Sequence, residues 1–194
     1  MTNTTRRGVI LGAVGSLAVS GCATGGLVSG QIKSGSITTQ LQREWSDITF
    51  MLPPPRPRNV KMFSIDGPLL NRLYVATLAE GGSLLRPRDR DTPRPVYRSD
   101  MSDNEIVEFI VDCVAQEYIQ PEATALRPQS LGSAPGIRFD ISTRTDEGLG
   151  ISGTALAASI SGRLGLLLFL APTEHYYGAL ASDVDAICAS ARPA

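Results

Sequence analysis

The sequence has a single histidine, His175, and only two lysines, Lys33 and Lys61. One histidine cannot build a histidine-based metal site, and no Cys-x-x-Cys pair or acidic EF-hand loop takes its place. The usual zinc and calcium spacings are therefore excluded, and no cofactor is implied. There is no Gly-x-Ser-x-Gly elbow, and neither lysine follows a serine by three positions. Two common signatures of an activated serine are thus missing. Positive charge is not in surplus: the formal net charge is −1, which leaves no electrostatic footprint for nucleic acid. No period of 20–50 residues recurs, so solenoids and propellers are out. No apolar run is long enough for a permanent membrane helix, which needs roughly 20 residues.

What is present begins with an export signal. Arg6 and Arg7 supply early positive charge, and residues 8–19 form an uncharged, mostly apolar stretch. That is the layout of a signal peptide rather than of a membrane span. The stretch ends in Val19-Ser20-Gly21-Cys22, which resembles a lipobox: a branched apolar residue, two small residues and the cysteine that accepts a diacylglycerol. The expectation is a signal peptide over residues 1–21 and a lipoprotein beginning at an acylated, palmitate-type Cys22, held on a membrane in the periplasm. Three acyl chains exceed the two-signal threshold for stable anchoring. By resemblance to Gram-negative lipoproteins, Ala23 in place of an aspartate favours the outer membrane. Thr5-Arg6-Arg7-Gly8-Val9-Ile10 resembles a twin-arginine export motif, although the same arginines serve equally as plain signal charge. Removing them makes the mature chain more acidic still.

Residues 22–40 are rich in Gly, Ser and Thr, a composition that predicts a flexible tether, with one folded domain over residues 41–194. The first strand is expected at residues 45–51, stopped by the prolines of 53–57. Strands follow at 60–65 and 70–78, joined by the turn residues Asp66-Gly67-Pro68. Ser102 and Glu105 read as a capping box, with Met101 and Ile106 as its hydrophobic staple. They start a helix predicted over 103–119, its apolar face made by Ile106, Phe109, Ile110, Cys113 and Val114. Further strands are expected at 123–131, 137–142, 149–160 and 164–170. A terminal helix capped by Ser182 turns Val184, Ile187 and Cys188 inward. Hairpin turns between the late strands make the sheet antiparallel, and the fold class α+β.

That order, and the phrases Gly136-Ile137-Arg138-Phe139-Asp140, Gly150-Ile151-Ser152-Gly153-Thr154-Ala155 and Leu166-Leu167-Leu168-Phe169-Leu170-Ala171-Pro172, followed by His175-Tyr176-Tyr177, resemble the PsbP-like domain. That domain is known from a photosystem accessory protein and from small bacterial envelope lipoproteins. The resemblance covers residues 47–193 and rests on strands and turns. It implies an antiparallel sheet with helices on its faces, an α/β/α sandwich. It also implies an accessory or binding role rather than catalysis, and it assigns no site residue.

Three groups of side chains remain. His175 is the one residue on which a triad could be built, but Glu174 beside it points elsewhere if the segment is a strand. A turn whose aromatics pack on the sheet accounts for the stretch more simply. Cys113 and Cys188 read as two separate small hydrophobes on inward helix faces, with a periplasmic disulfide as the alternative. Arg86, Arg88, Arg90, Arg94 and Arg98 share a proline-rich loop with Asp89 and Asp91, read as a solvated loop, with anionic headgroups or a peptidoglycan carboxylate as its alternative ligands. The function expected is a non-catalytic binding or accessory role beside an envelope protein partner. A tethered hydrolase using His175 and a small-ligand carrier are the alternatives. An apolar pocket of several hundred Å3 between sheet and helix is the mark of the carrier.

Overall fold

The computed structural model describes residues 25–54, 56–85 and 92–194. Cys22 and the signal lie outside the described residues, as do Arg86, Arg88 and Arg90.

Antiparallel pairing dominates. Strands β1 (Leu27–Ser34), β2 (Ile37–Asp47), β3 (Val60–Ser64) and β4 (Arg72–Leu78) precede helix α1 (Asp103–Val114). Strands β5 (Ile119–Pro128), β6 (Gly136–Arg144), β7 (Gly150–Ile160) and β8 (Arg163–Pro172) follow, then helix α2 (Gly178–Ser190) and a short β9 (Arg192–Pro193). The sheet runs β1-β2-β3-β4-β8-β7-β6-β5, with β9 added to β2. The long crossover from β4 through α1 to the far edge lets the β5–β8 meander return to β4.

Period-two alternation on β8 divides the core into two layers. Leu164, Leu166, Leu168 and Leu170 face Ile106, Phe109, Ile110 and Cys113 of α1. Leu167, Phe169 and Ala171 join Leu180, Val184, Ile187 and Cys188 of α2. A strand covered on both faces must be apolar throughout, which explains the unbroken run. The capping box forms as read: Ser102 accepts from the Glu105 amide, and the Glu105 carboxylate accepts from the Ser102 amide at 2.8 Å. Met101 packs against the α1 cluster beside buried Ile106.

Four expectations are corrected. The flexible tether is not one, because from Leu27 onward it is the β1–β2 hairpin. Ser34 and Thr39 in it are buried with their hydroxyls satisfied: Ser34 donates to the Asn59 carbonyl at 2.7 Å and Thr39 to the Ile187 carbonyl at 2.6 Å. Buried hydroxyls of this kind look like solvent-loving composition when read one by one. Gly35, at φ +59°, makes the two-residue turn and lies where a Cβ would come within 2.6 Å of Thr77 Cβ. The strand expected over 45–51 ends at Asp47, whose carboxylate accepts from the Thr49 amide at 3.0 Å and starts a 3-10 turn.

Helix α1 stops at Val114, short of residue 119, because Ile119 already pairs with Arg144 on the edge strand. Pro121 is tolerated there, on an edge that needs no second row of donors. Ser182 lies inside α2, which starts at Gly178 after a π turn over Thr173–Tyr177. Asp183 and Asp185, just after Ser182, lie in mid-helix and pair with the sheet, Asp183 with Arg43 and Asp185 with Arg138.

Candidate functional site: a cleft beside α1

The residues singled out for chemistry are dispersed. His175 is exposed in the turn before α2, with φ +70° and ψ −64°. Among the described residues its ring contact is with the edge of Tyr176, at 5.1 Å between centroids. Among the described residues no hydroxyl, thiol or carboxylate is hydrogen-bonded to it. The neighbouring Tyr177 packs as expected, stacking on Phe169 at 6.0 Å and sharing a 2.7 Å bond with the Thr154 hydroxyl. Cys113 and Cys188 are free, buried and in opposite layers of the sandwich. Burial raises both thiol pKa values, that of Cys188 to about 11. Among the described residues no group of three metal-ligating side chains occurs, and no helix is long and apolar enough to cross a membrane.

A cleft of about 490 Å3 opens on the α1 side of the sheet, within the roughly 300–1,000 Å3 of small-molecule sites. Met62 of β3 and Tyr74 of β4 line it, and the rest of its apolar walls come from turns. Met51, Leu52, Pro53 and Pro57 follow β2, Pro68 and Leu69 form the β3–β4 turn, and Leu84 and Leu85 follow β4. The β3–β4 turn is held by Asn71, whose Oδ1 accepts from the Ile65 amide at 2.9 Å and the Ser64 hydroxyl at 3.2 Å. These walls are apolar where loops are usually polar.

One side of the cleft is charged. Arg72, at the start of β4, donates to the Glu117 carboxylate at 2.5 Å, to the Pro68 carbonyl at 2.7 Å and to the Tyr74 hydroxyl at 3.5 Å. Desolvation opposes the Arg72 charge, but Tyr74 and Glu117 outweigh it and the guanidinium is held above its ordinary pKa. Burial pushes the Tyr74 phenol up as well, so it remains a neutral hydrogen-bonding group. Arg94 adds an exposed guanidinium at the rim, and no carboxylate among the described residues pairs with it. Gln116 donates to the Asp112 carbonyl at 3.1 Å, while its buried Oε1 accepts nothing among the described residues. Such an arrangement can hold an apolar body and receive a polar end.

A smaller hollow of about 160 Å3 lies on the α2 side. It is lined by Arg127 and Asp140, bonded at 3.1 and 3.3 Å, and by Arg138 paired with Asp185. Two cations and two anions balance there, so it offers no unmet charge to a ligand.

No protein-family sequence profile and no curated protein matches the chain. Solved structures do. The solution structure of cyanobacterial PsbP (CyanoP) from Synechocystis sp. PCC 6803 matches with TM-score 0.56 and 14% identity, over 94% of this chain and all of that one. The Saccharomyces cerevisiae Ran-binding protein Mog1p matches with TM-score 0.51 and 10% identity, over 86% and 96% of the two chains. LpqN, involved in cell envelope biogenesis of Mycobacterium tuberculosis, matches with TM-score 0.50 and 10% identity, over 86% and 91%. The fold is thus the PsbP-like α+β fold, as the order of strands and helices implied.

Proposed function

We propose that the chain is a non-catalytic, lipid-anchored binding protein of the cell envelope, and that the α1-side cleft holds a small amphiphile with an anionic end. The observation that carries this is the cleft itself, with apolar walls and, at its rim, Arg94, with which no carboxylate among the described residues pairs. It favours the carrier reading over the hydrolase, because His175 is hydrogen-bonded to no hydroxyl or thiol among the described residues and does not line the cleft. Support for a binding role also comes from the company of the fold: Mog1p binds Ran and LpqN takes part in cell envelope biogenesis. The periplasmic address, at the outer membrane, rests on Cys22 and Ala23. An envelope protein partner is compatible with a loaded carrier, as the acceptor of its cargo.

The test is titration of the purified protein with a fluorescent long-chain carboxylate and with its methyl ester. Arg94→Ser is expected to weaken carboxylate binding about fivefold, the effect of one solvent-screened ion pair, and to leave the ester unaffected. Leu84→Glu is expected to abolish binding of both. Undiminished binding of both carboxylate and ester by Arg94→Ser and Leu84→Glu would remove the cleft as an amphiphile site.

A further inference from the structure

The starting point is where the chain enters the fold. The Asp47 amide donates to the Gly26 carbonyl at 3.0 Å, and a Cβ on Gly25 would sit 1.6 Å from the Asp47 carbonyl oxygen. Gly25 is thus fixed against the end of β2. Cys22 lies three residues earlier, so at most about 11 Å of extended chain separates it from that point. A tether running to residue 40 would let the domain stand off the membrane in any orientation. With the hairpin starting at Leu27, it cannot.

Asp47 leads directly into the 3-10 turn of Thr49–Met51, and that turn is one lip of the cleft. Phe50 and Met51 are 47% and 49% exposed, Leu27 at the start of β1 is 65% exposed, and Leu69 on the opposite lip is 84% exposed. Leu27 pairs with Ser46, next to Asp47. Of the seven large apolar side chains exposed among the described residues, Leu27, Phe50 and Met51 thus flank Asp47, against which Gly25 is held, and Leu69 shares the cleft with Met51. Scattered singly they would need no explanation, but gathered they mark a contact surface. Basic groups accompany them. Arg56 is exposed and donates to the Phe50 carbonyl at 2.9 Å, and Arg58 is exposed two residues on. Apolar side chains flanked by arginines fit the boundary between acyl chains and anionic headgroups.

We propose that this end of the molecule lies on the lipid leaflet, with Leu27, Phe50, Met51 and Leu69 in the interface, so that the cleft opens toward the bilayer. The proposal rests on acylation of Cys22. It gives the cleft a source for its ligand, a single-chain amphiphile entering from the membrane without crossing water.

The experiment uses the full chain, purified from membranes and reconstituted in vesicles of phosphatidylethanolamine and phosphatidylglycerol. Single cysteines replace Phe50, Leu69 or Arg163 and carry a nitroxide. Buried Cys113 and Cys188 stay unlabelled in the folded protein. Arg163 is the control, seven positions along β8 from Leu170, which pairs with Arg72 at the cleft. The mass of the amino-terminal peptide is read first. With Cys22 acylated, the labels at 50 and 69 are expected to gain oxygen collisions and lose collisions with a water-soluble nickel chelate severalfold, while the label at 163 stays in water. Acylated protein with all three labels equally in water overturns the orientation and leaves the anchor standing. An unmodified Cys22 overturns the anchor and the orientation together.

Discussion

Ile37 separates the two descriptions of the amino-terminal region more sharply than any other residue. In a flexible tether, Ile37→Ala changes nothing measurable. In the fold, Ile37 is 0% exposed and packs with the α2 layer. Replacing it removes three carbons, about 2.4 kcal/mol at ~0.8 kcal/mol each, plus a cavity term that brings losses of this kind to about 2–5 kcal/mol. The cavity cannot close well, because the neighbour beneath Ile37 is Gly165, where a Cβ would stand only 2.7 Å from Ile37 Cγ2. The loss should therefore be about 3–4 kcal/mol. The same geometry makes a second prediction about the pair. Gly165→Ala alone overpacks the site and should cost about 1–3 kcal/mol, but in the Ile37→Ala background much of that cost should vanish, leaving a coupling of about 1 kcal/mol or more. Urea unfolding followed through the fluorescence of Trp45 reads both, since it is the sole tryptophan and is 0% exposed in the same layer. A loss below 0.5 kcal/mol for Ile37→Ala, or strict additivity of the two substitutions, would refute the packing described for the hairpin.

Ser102→Ala should cost about 1 kcal/mol, the usual value of a serine cap. Its bonds to Ser102, with Arg98 beside it, hold the Glu105 carboxyl below its ordinary 4.5. A lowered carboxyl stabilises above its unfolded pKa, so the difference between wild type and Ser102→Ala should shrink as pH falls through 4.5 and below, measured by thermal melts across that range. Asn71→Ala should destabilise by about 2 kcal/mol by stripping buried donors of their acceptor, and should lower amphiphile affinity because the Pro68–Leu69 lip loses its support. A variant as stable as wild type would show that the turn does not depend on Asn71. Cys113 and Cys188 should resist aromatic disulfide reagents until the protein is unfolded, with no mass change on reduction. Since burial raises both thiols, the fold should lose stability as pH climbs past their ordinary 9, and prompt labelling of either native thiol would contradict this. His175→Gly should raise the urea midpoint. The strain of a residue in the rare classic γ-turn region, about 1–3 kcal/mol, exceeds the ~0.5–1 kcal/mol entropic cost of glycine. A lowered midpoint would mean that the imidazole holds the turn in place.

The regular elements were legible wherever local signals agreed with tertiary ones. Residues 102–106 specify their helix start through side chain to backbone bonds four positions apart or less, and no distant contact is needed to see it. The β6–β8 meander shows itself by alternation on β6 and by continuous apolarity on the doubly covered β8. The errors lie where a distant partner decides. Ser34 and Thr39 look solvent-loving until Asn59 and Ile187 are brought to them, 25 and 148 positions away. Gly35-Ser36 between two short alternating runs was nonetheless a two-residue hairpin signal, outweighed by the composition around it. Ile119 continues the apolar pattern of α1 in sequence and becomes a strand residue because Arg144 is waiting on β6.

The cleft was not legible because no single segment contains it. Arg72 and Glu117 are 45 positions apart, and nothing near either residue announces the other. Its walls did leave a trace: Met51-Leu52 after Phe50 and before the prolines, Leu69 straight after Pro68, and Leu84-Leu85 beside Gly81-Gly82 all put large apolar residues where turn chemistry dominates. A loop gains no stability from an exposed leucine, so a chain that keeps several has a use for them elsewhere, in the core, in a ligand or in a surface it touches. Leu52, Leu84 and Leu85 are accounted for by burial, whereas Phe50, Met51 and Leu69 are not. Met51 and Leu69 line one cleft and Phe50 adjoins it in sequence, and a lipid leaflet is the apolar phase that the proposed acylation of Cys22 would bring within reach of all three.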